Sequence, residues 1–111
     1  MTLALALLLA QAATPPPAPV AGTPRPAPEI WGKNCKFCHG DDGRSKTKKG
    51  RQYKAPDFTS GKWQDGTTDE EIYIAIHDGV AKSKMPPFKD KLSEAEIQSL
   101  VPYLRAFAGK K

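Results

Sequence analysis

From Glu29 onward, apolar residues recur three and four positions apart, the period of an amphipathic helix, and nowhere do they alternate over the length of a strand. The clearest run follows Ser93. Ile97, Leu100, Val101, Leu104, Phe107 and Ala108 fall at helical spacing, and Ser93 with Glu96 forms a capping box at the start. Pro102 lies inside this run, where it removes the bond to Gln98 at a cost of about 3 kcal/mol and predicts a kink or a local distortion. A second helix begins at Thr67-Thr68. Thr68 and Glu71 form another capping box, Ile72, Ile76 and Tyr73 share a face, and Gly79 ends the helix. A third, short helix is predicted from Glu29 to about Lys36, entered from Pro28 and carrying Trp31 one turn before Cys35. The expected class is all-α, with three main helices.

Between Gly40 and Trp63 no period is visible, and Gly, Lys, Asp, Ser and Pro56 predict a long loop. A loop of more than about 15 residues is unusual in a compact domain unless it serves a function or wraps something. Domains this small bury only about 60% of their unfolded surface, so a bound cofactor would complete the core.

The first two dozen residues differ from the rest, since no charge precedes Arg25. Leu3 to Ala13 is almost wholly Leu and Ala, and Ala10-Gln11-Ala12 fits the small-x-small cleavage pattern of an export signal, although no Lys or Arg precedes the run. It falls short of the roughly 20 apolar residues that span a bilayer, so no transmembrane span is expected in the mature form. Residues 14–28 hold most of the 11 prolines and read as an extended spacer. The expected organisation is a signal over residues 1–13, a Pro-rich linker over 14–28 and one domain over 29–111, exported to the periplasm or an equivalent compartment.

Charge adds a partner class. The chain carries 17 Lys and Arg against 12 Asp and Glu, a net +5. Lys33, Lys36, Arg44, Lys46, Lys48, Lys49, Arg51 and Lys54 cluster in sequence, as do Lys82, Lys84, Lys89 and Lys91. They form either a solvated basic surface or a rim that steers an acidic partner. No nucleic-acid recognition motif accompanies them.

Cys35-Lys36-Phe37-Cys38-His39 is the strongest chemical signal, the Cys-x-x-Cys-His pattern of covalent haem attachment. Two thiols one helical turn apart can each add to a vinyl group of one porphyrin, and the next residue offers an imidazole to the iron. A redox dithiol would want a βαβ setting, and no strand is visible. A zinc site built from Cys35, Cys38, His39 and His77 lacks the usual spacing of a second ligand pair.

The chain resembles the class I mono-haem cytochrome c family over nearly all of its folded part. The resemblance rests on the attachment motif and Trp31, on Ala55-Pro56-Asp57-Phe58, on Lys84-Met85-Pro86-Pro87-Phe88 and on Leu100-Val101-Pro102-Tyr103-Leu104-Arg105. It implies a small helical fold with long loops around one haem c held through Cys35 and Cys38, with His39 as the proximal ligand and Met85 as the second. A Met that merely fills a core gap is the alternative for Met85, and His77 is the competing ligand, unless it faces solvent. The resemblance further assigns the Pro56 carbonyl as acceptor for the His39 ring N–H, and packs Ala27 and Trp31 against Tyr103 and Leu104. Tyr53 and Trp63 either donate to the haem propionates or wall the pocket.

With both axial positions filled, no site is left for substrate, so the resemblance implies a monomeric one-electron carrier, not an enzyme, serving redox partner proteins with acidic docking surfaces. A haem subunit of a larger dehydrogenase or oxidase, and a sensor or peroxidase in which Met85 dissociates, are the rival expectations.

Overall fold

The computed structural model describes residues 23–110, and the expected signal lies outside the described residues, with most of the spacer. The fold is all-α. Helix α1, Ala27–Ile30, runs through a π-helical turn at Trp31–Cys35 into α2, Lys36–His39. Then come α3 at Lys48–Gln52, α4 at Gly61–Gly66, α5 at Asp69–Asp78, a 3₁₀ turn at Ala81–Ser83, and α6 at Glu94–Arg105. The only extended pairing among the described residues is an isolated bridge between Val80 and Met85.

Both capping boxes form. In α5 the Thr68 hydroxyl accepts from the Glu71 amide at 3.0 Å while Glu71 accepts from the Thr68 amide at 2.9 Å. In α6 Ser93 and Glu96 do the same at 3.1 and 2.9 Å. Each box satisfies amides that the first turn would leave unpaired.

Several boundaries differ from the pattern. The first helix starts at Ala27, with Pro28 in its first turn, where a missing N–H removes no bond, and it extends to His39. Helix α6 runs unbroken through Pro102 and stops at Arg105, so Phe107 and Ala108 lie beyond it. Gln98 and Pro102 are both exposed, so the carbonyl that loses its intrahelical donor sits on the watered side. The expected loop from Gly40 to Trp63 contains α3 and the start of α4. Each is only one or two turns long, too short to display a period, and each is started by a side chain: Thr47 accepts from the Gly50 amide and Ser60 from the Trp63 amide.

The core joins α1, α5 and α6. Ile30, Ile97 and Leu100 are fully buried among Trp31, Phe58, Ile72, Ile76, Phe88, Leu92, Val101 and Leu104. Trp31 is the hub. Its ring lies 5.4 Å from Tyr103, 5.0 Å from Phe107 and 6.2 Å from Phe58, and its Nε1–H donates to the Gly40 carbonyl at 2.8 Å. Phe107 thus reaches the core from the turn after α6. Two arginines tie the frame. Arg25, inside the expected spacer, pairs with buried Glu96 at 2.9 Å, fastening the start of the fold to α6. Arg105 donates to the carbonyls of Gln64 and Thr67 and to Asp69, holding the junction of α4 and α5 against α6.

Candidate haem-binding site

A cavity of about 540 Å³ opens between the first helix, the loop before α4, α5 and the segment after α5. Its size falls within the 300–1,000 Å³ of typical cofactor sites. Cys35, Cys38, His39, Tyr53, Pro56, Trp63 and Met85 all line it, with Phe58, Ile72, Ile76, Phe88, Leu100 and Leu104 supplying an apolar wall. His77 is not among its residues. It sits near the end of α5, with Nδ1 2.7 Å from the Asp78 carboxylate and its ring stacked on Tyr73.

The π-helical turn sets the two thiols. The Lys36 amide donates to the Trp31 carbonyl, five residues back. Such a turn inserts one residue into the helical phase, so Trp31 stays buried while Cys35 and Cys38 both reach the cavity. Both cysteines are free. Burial, reinforced by the neighbouring Cys38, pushes the Cys35 thiol up to about 12. A redox dithiol needs the opposite shift, whereas a thiol destined for an uncharged thioether does not. The zinc alternative needs His77 beside Cys35, Cys38 and His39, but those three line the cavity and His77 pairs with Asp78 instead.

His39 is held from three sides. Its ring stacks on Phe58 at 4.8 Å and lies 5.8 Å from Trp31, and burial drives the imidazole down to about 4, so it is neutral at neutral pH. No direct bond joins it to Pro56. Instead the buried Ser45 hydroxyl stands between them, donating to the Pro56 carbonyl at 2.5 Å and lying 3.4 Å from His39 Nδ1. Thr47 closes the same corner, donating to the Cys38 carbonyl at 2.6 Å while capping α3.

Met85 arrives from the other end of the cavity's lining sequence. Its amide and carbonyl both pair with Val80, at 3.1 and 2.9 Å, and the Phe88 amide donates to Ile76 at 3.0 Å. The Met-Pro segment is therefore strapped to the end of α5. Lys84, immediately before it, takes the left-handed conformation at φ 62, which costs a residue with a side chain about 1–2 kcal/mol. Tyr53 follows α3, with Lys49 Nζ 3.4 Å from its hydroxyl, and Trp63 packs on Phe58 at 4.8 Å. Of the basic residues, Lys49 and Lys84 reach the cavity, whereas Arg44 turns away to Asp42 and the Lys110 carbonyl. Two reduced thiols, a neutral imidazole, a thioether and an apolar wall fit a covalently attached haem.

Residues 22–104 match the family model described as cytochrome c oxidase, cbb3-type, subunit III. The chain belongs to this c-type cytochrome family. Among curated relatives of this cytochrome are the cbb3-type cytochrome c oxidase subunit CcoP of Azospirillum brasilense, 29% identical over 82 residues, and CcoP of Cereibacter sphaeroides, 32% identical over 83. These matches take in 74% and 72% of the chain but only 28% and 26% of the relatives, so the cytochrome spans about a quarter of their length. The solved structure of the c-type cytochrome KustC0563 is 37% identical with a TM-score of 0.71, and covers 76% of this chain and 99% of that one. A c-type cytochrome is a haem protein of electron transport.

Three features of this cytochrome carry no signal in spacing. The π turn has no propensity signature. Ser45 reads as one more polar loop residue. Arg105 ends the Leu100–Arg105 motif, yet its partners lie 36 to 41 positions away.

Proposed function

We propose that this cytochrome transfers one electron at a time through a single haem c, attached at Cys35 and Cys38 and ligated by His39 and Met85. The observation that carries the proposal is that all four residues, from two segments far apart in sequence, line one apolar cavity. Haem with histidine and methionine ligands cycles between ferric and ferrous iron at a raised potential. The protein's part is to hold both ligands: His39 by its stack on Phe58 and its Ser45 contact, Met85 by the Val80 bridge and the prolines after it. With both axial positions taken, the chain acts as a carrier, not a catalyst. Pro56 orients His39 from outside the ligand set, and Tyr53 and Trp63, which line the same cavity, either donate to the haem propionates or wall the pocket.

The redox partners present acidic surfaces to the lysines at the cavity rim, Lys49 and Lys84 among them, in the periplasm or an equivalent compartment after the signal over residues 1–13 is removed. Among the described residues no helix is long and apolar enough to cross a membrane. The matches to cbb3-type oxidase subunits favour a second reading, a haem domain docked in a larger oxidase assembly. Purification separates the two, since a free carrier elutes alone at monomer size.

Haem that stays with the polypeptide after denaturation and acid extraction, and is lost on replacing both cysteines, is the expected result. The native haem should bind carbon monoxide poorly, and Met85→Ala should make it bind readily. Avid binding by the unmutated protein refutes His39/Met85 ligation.

A further inference from the structure

Ser45 is 5% exposed and holds a left-handed backbone at φ 59, a conformation uncommon for any residue but glycine. Its amide donates to the His39 carbonyl at 2.9 Å, and its own carbonyl lies so close to Gly50 that a side chain there would overlap it. The backbone is thus locked in a costly conformation, and the hydroxyl is aimed between Pro56 and His39.

The proton inventory settles which way that hydroxyl works. A proline carbonyl can only accept, so at 2.5 Å the single hydroxyl proton belongs to the bond to Pro56. Toward His39 the oxygen then has only a lone pair to offer. For that oxygen to accept from Nδ1, 3.4 Å away, Nδ1 carries the ring proton, which leaves Nε2 with the free lone pair that a metal needs.

From this we propose that Ser45 is a positioning residue that selects the metal-binding tautomer of His39 and sets its donor strength through a two-bond relay, His39 N–H to Ser45 O–H to the Pro56 carbonyl. The inference rests on the proposed ligation by His39. Bonds in series polarise one another, and an acceptor on the outer ring nitrogen raises the basicity of the ligating one. A more basic imidazole favours ferric over ferrous iron, so the relay holds the reduction potential down.

The test is the potential of the holoprotein in Ser45→Ala and Ser45→Gly. Both remove the hydroxyl, but glycine also relieves the left-handed backbone, so a purely structural role would part the two variants and an electronic role would not. We expect both to shift the reduced-to-oxidised ratio at fixed poise upward by roughly twofold or more, the low end of what one hydrogen bond is worth, with covalent haem and low-spin spectrum retained. A potential unmoved in both variants, or moved in alanine and restored in glycine, overturns the relay while leaving the haem assignment standing. A wild-type chain without covalent haem, or a spectrum indifferent to His39→Ala, removes the ground of the ligation proposal itself.

Discussion

Replacing Gly79 by alanine should damage the fold and the Met85 segment together. Gly79 ends α5 at φ 77 and ψ 174, a region essentially reserved for glycine, where a side chain costs about 1–3 kcal/mol. A Cβ there would lie 2.7 Å from the Met85 carbonyl oxygen and the Pro87 nitrogen, against at least 3.4 Å for ordinary contact, a shortfall of about 0.7 Å. The segment cannot retreat freely, because Val80 pairs with Met85 on one side and Ile76 with Phe88 on the other. Overpacking of this kind costs about 1–3 kcal/mol. Together the two effects amount to about 2–6 kcal/mol, a large share of the 5–15 kcal/mol that usually holds a domain folded. Denaturant titration of the holoprotein measures that loss, and, under the proposed His39/Met85 ligation, carbon monoxide binding at low denaturant reports whether the Met85 segment has been pushed off the haem. A Gly79→Ala protein as stable as the parent, with carbon monoxide binding unchanged, would show that neither the backbone conformation nor the close approach matters.

Gly32→Ala is the contrasting case. Gly32 is exposed in the helical run and a Cβ there meets nothing within 4 Å, so thermal unfolding should show a gain of about 0.5–1 kcal/mol. Removing the cap hydroxyl in Ser93→Ala should cost about 1 kcal/mol in denaturant titration. Acid should reveal the Arg25–Glu96 pair. Hydrogen bonds from the Arg25 side chain and amide, and from the Ser93 amide, hold the Glu96 carboxyl down at about 2. A depressed folded value stabilises above the usual carboxylate range and is lost as pH falls from about 4.5 toward 2. Glu96→Gln keeps the cap acceptor but not the charge, and should flatten that part of the stability profile.

The amino-acid sequence by itself determined the local elements. Thr68 with Glu71 and Ser93 with Glu96 each define a helix start within a few residues, because a capping box is satisfied by neighbours in the chain whatever the rest of the fold does. The attachment motif at Cys35–His39 and the lone Met-Pro segment were legible for the same reason, since their chemistry lies in residue type and short spacing. What only the tertiary structure decided were the relations between distant segments. Helices α3 and α4 are too short to stand alone, and exist where Thr47 and Gln64 bond to the Cys38 and Leu104 carbonyls. The expected direct bond from His39 to Pro56 became a bond through Ser45, because the left-handed turn at Ser45 brings its hydroxyl into the gap. The same holds for Pro102. A kink or local distortion was expected from its missing donor; the helix continues through it to Arg105, where packing of Val101 and Leu104 into the core and four donated bonds from Arg105 hold its last turn. Short-range hydrogen bonding is written in neighbouring residues, whereas the cavity and its Ser45 contact depend on which surfaces the core brings together.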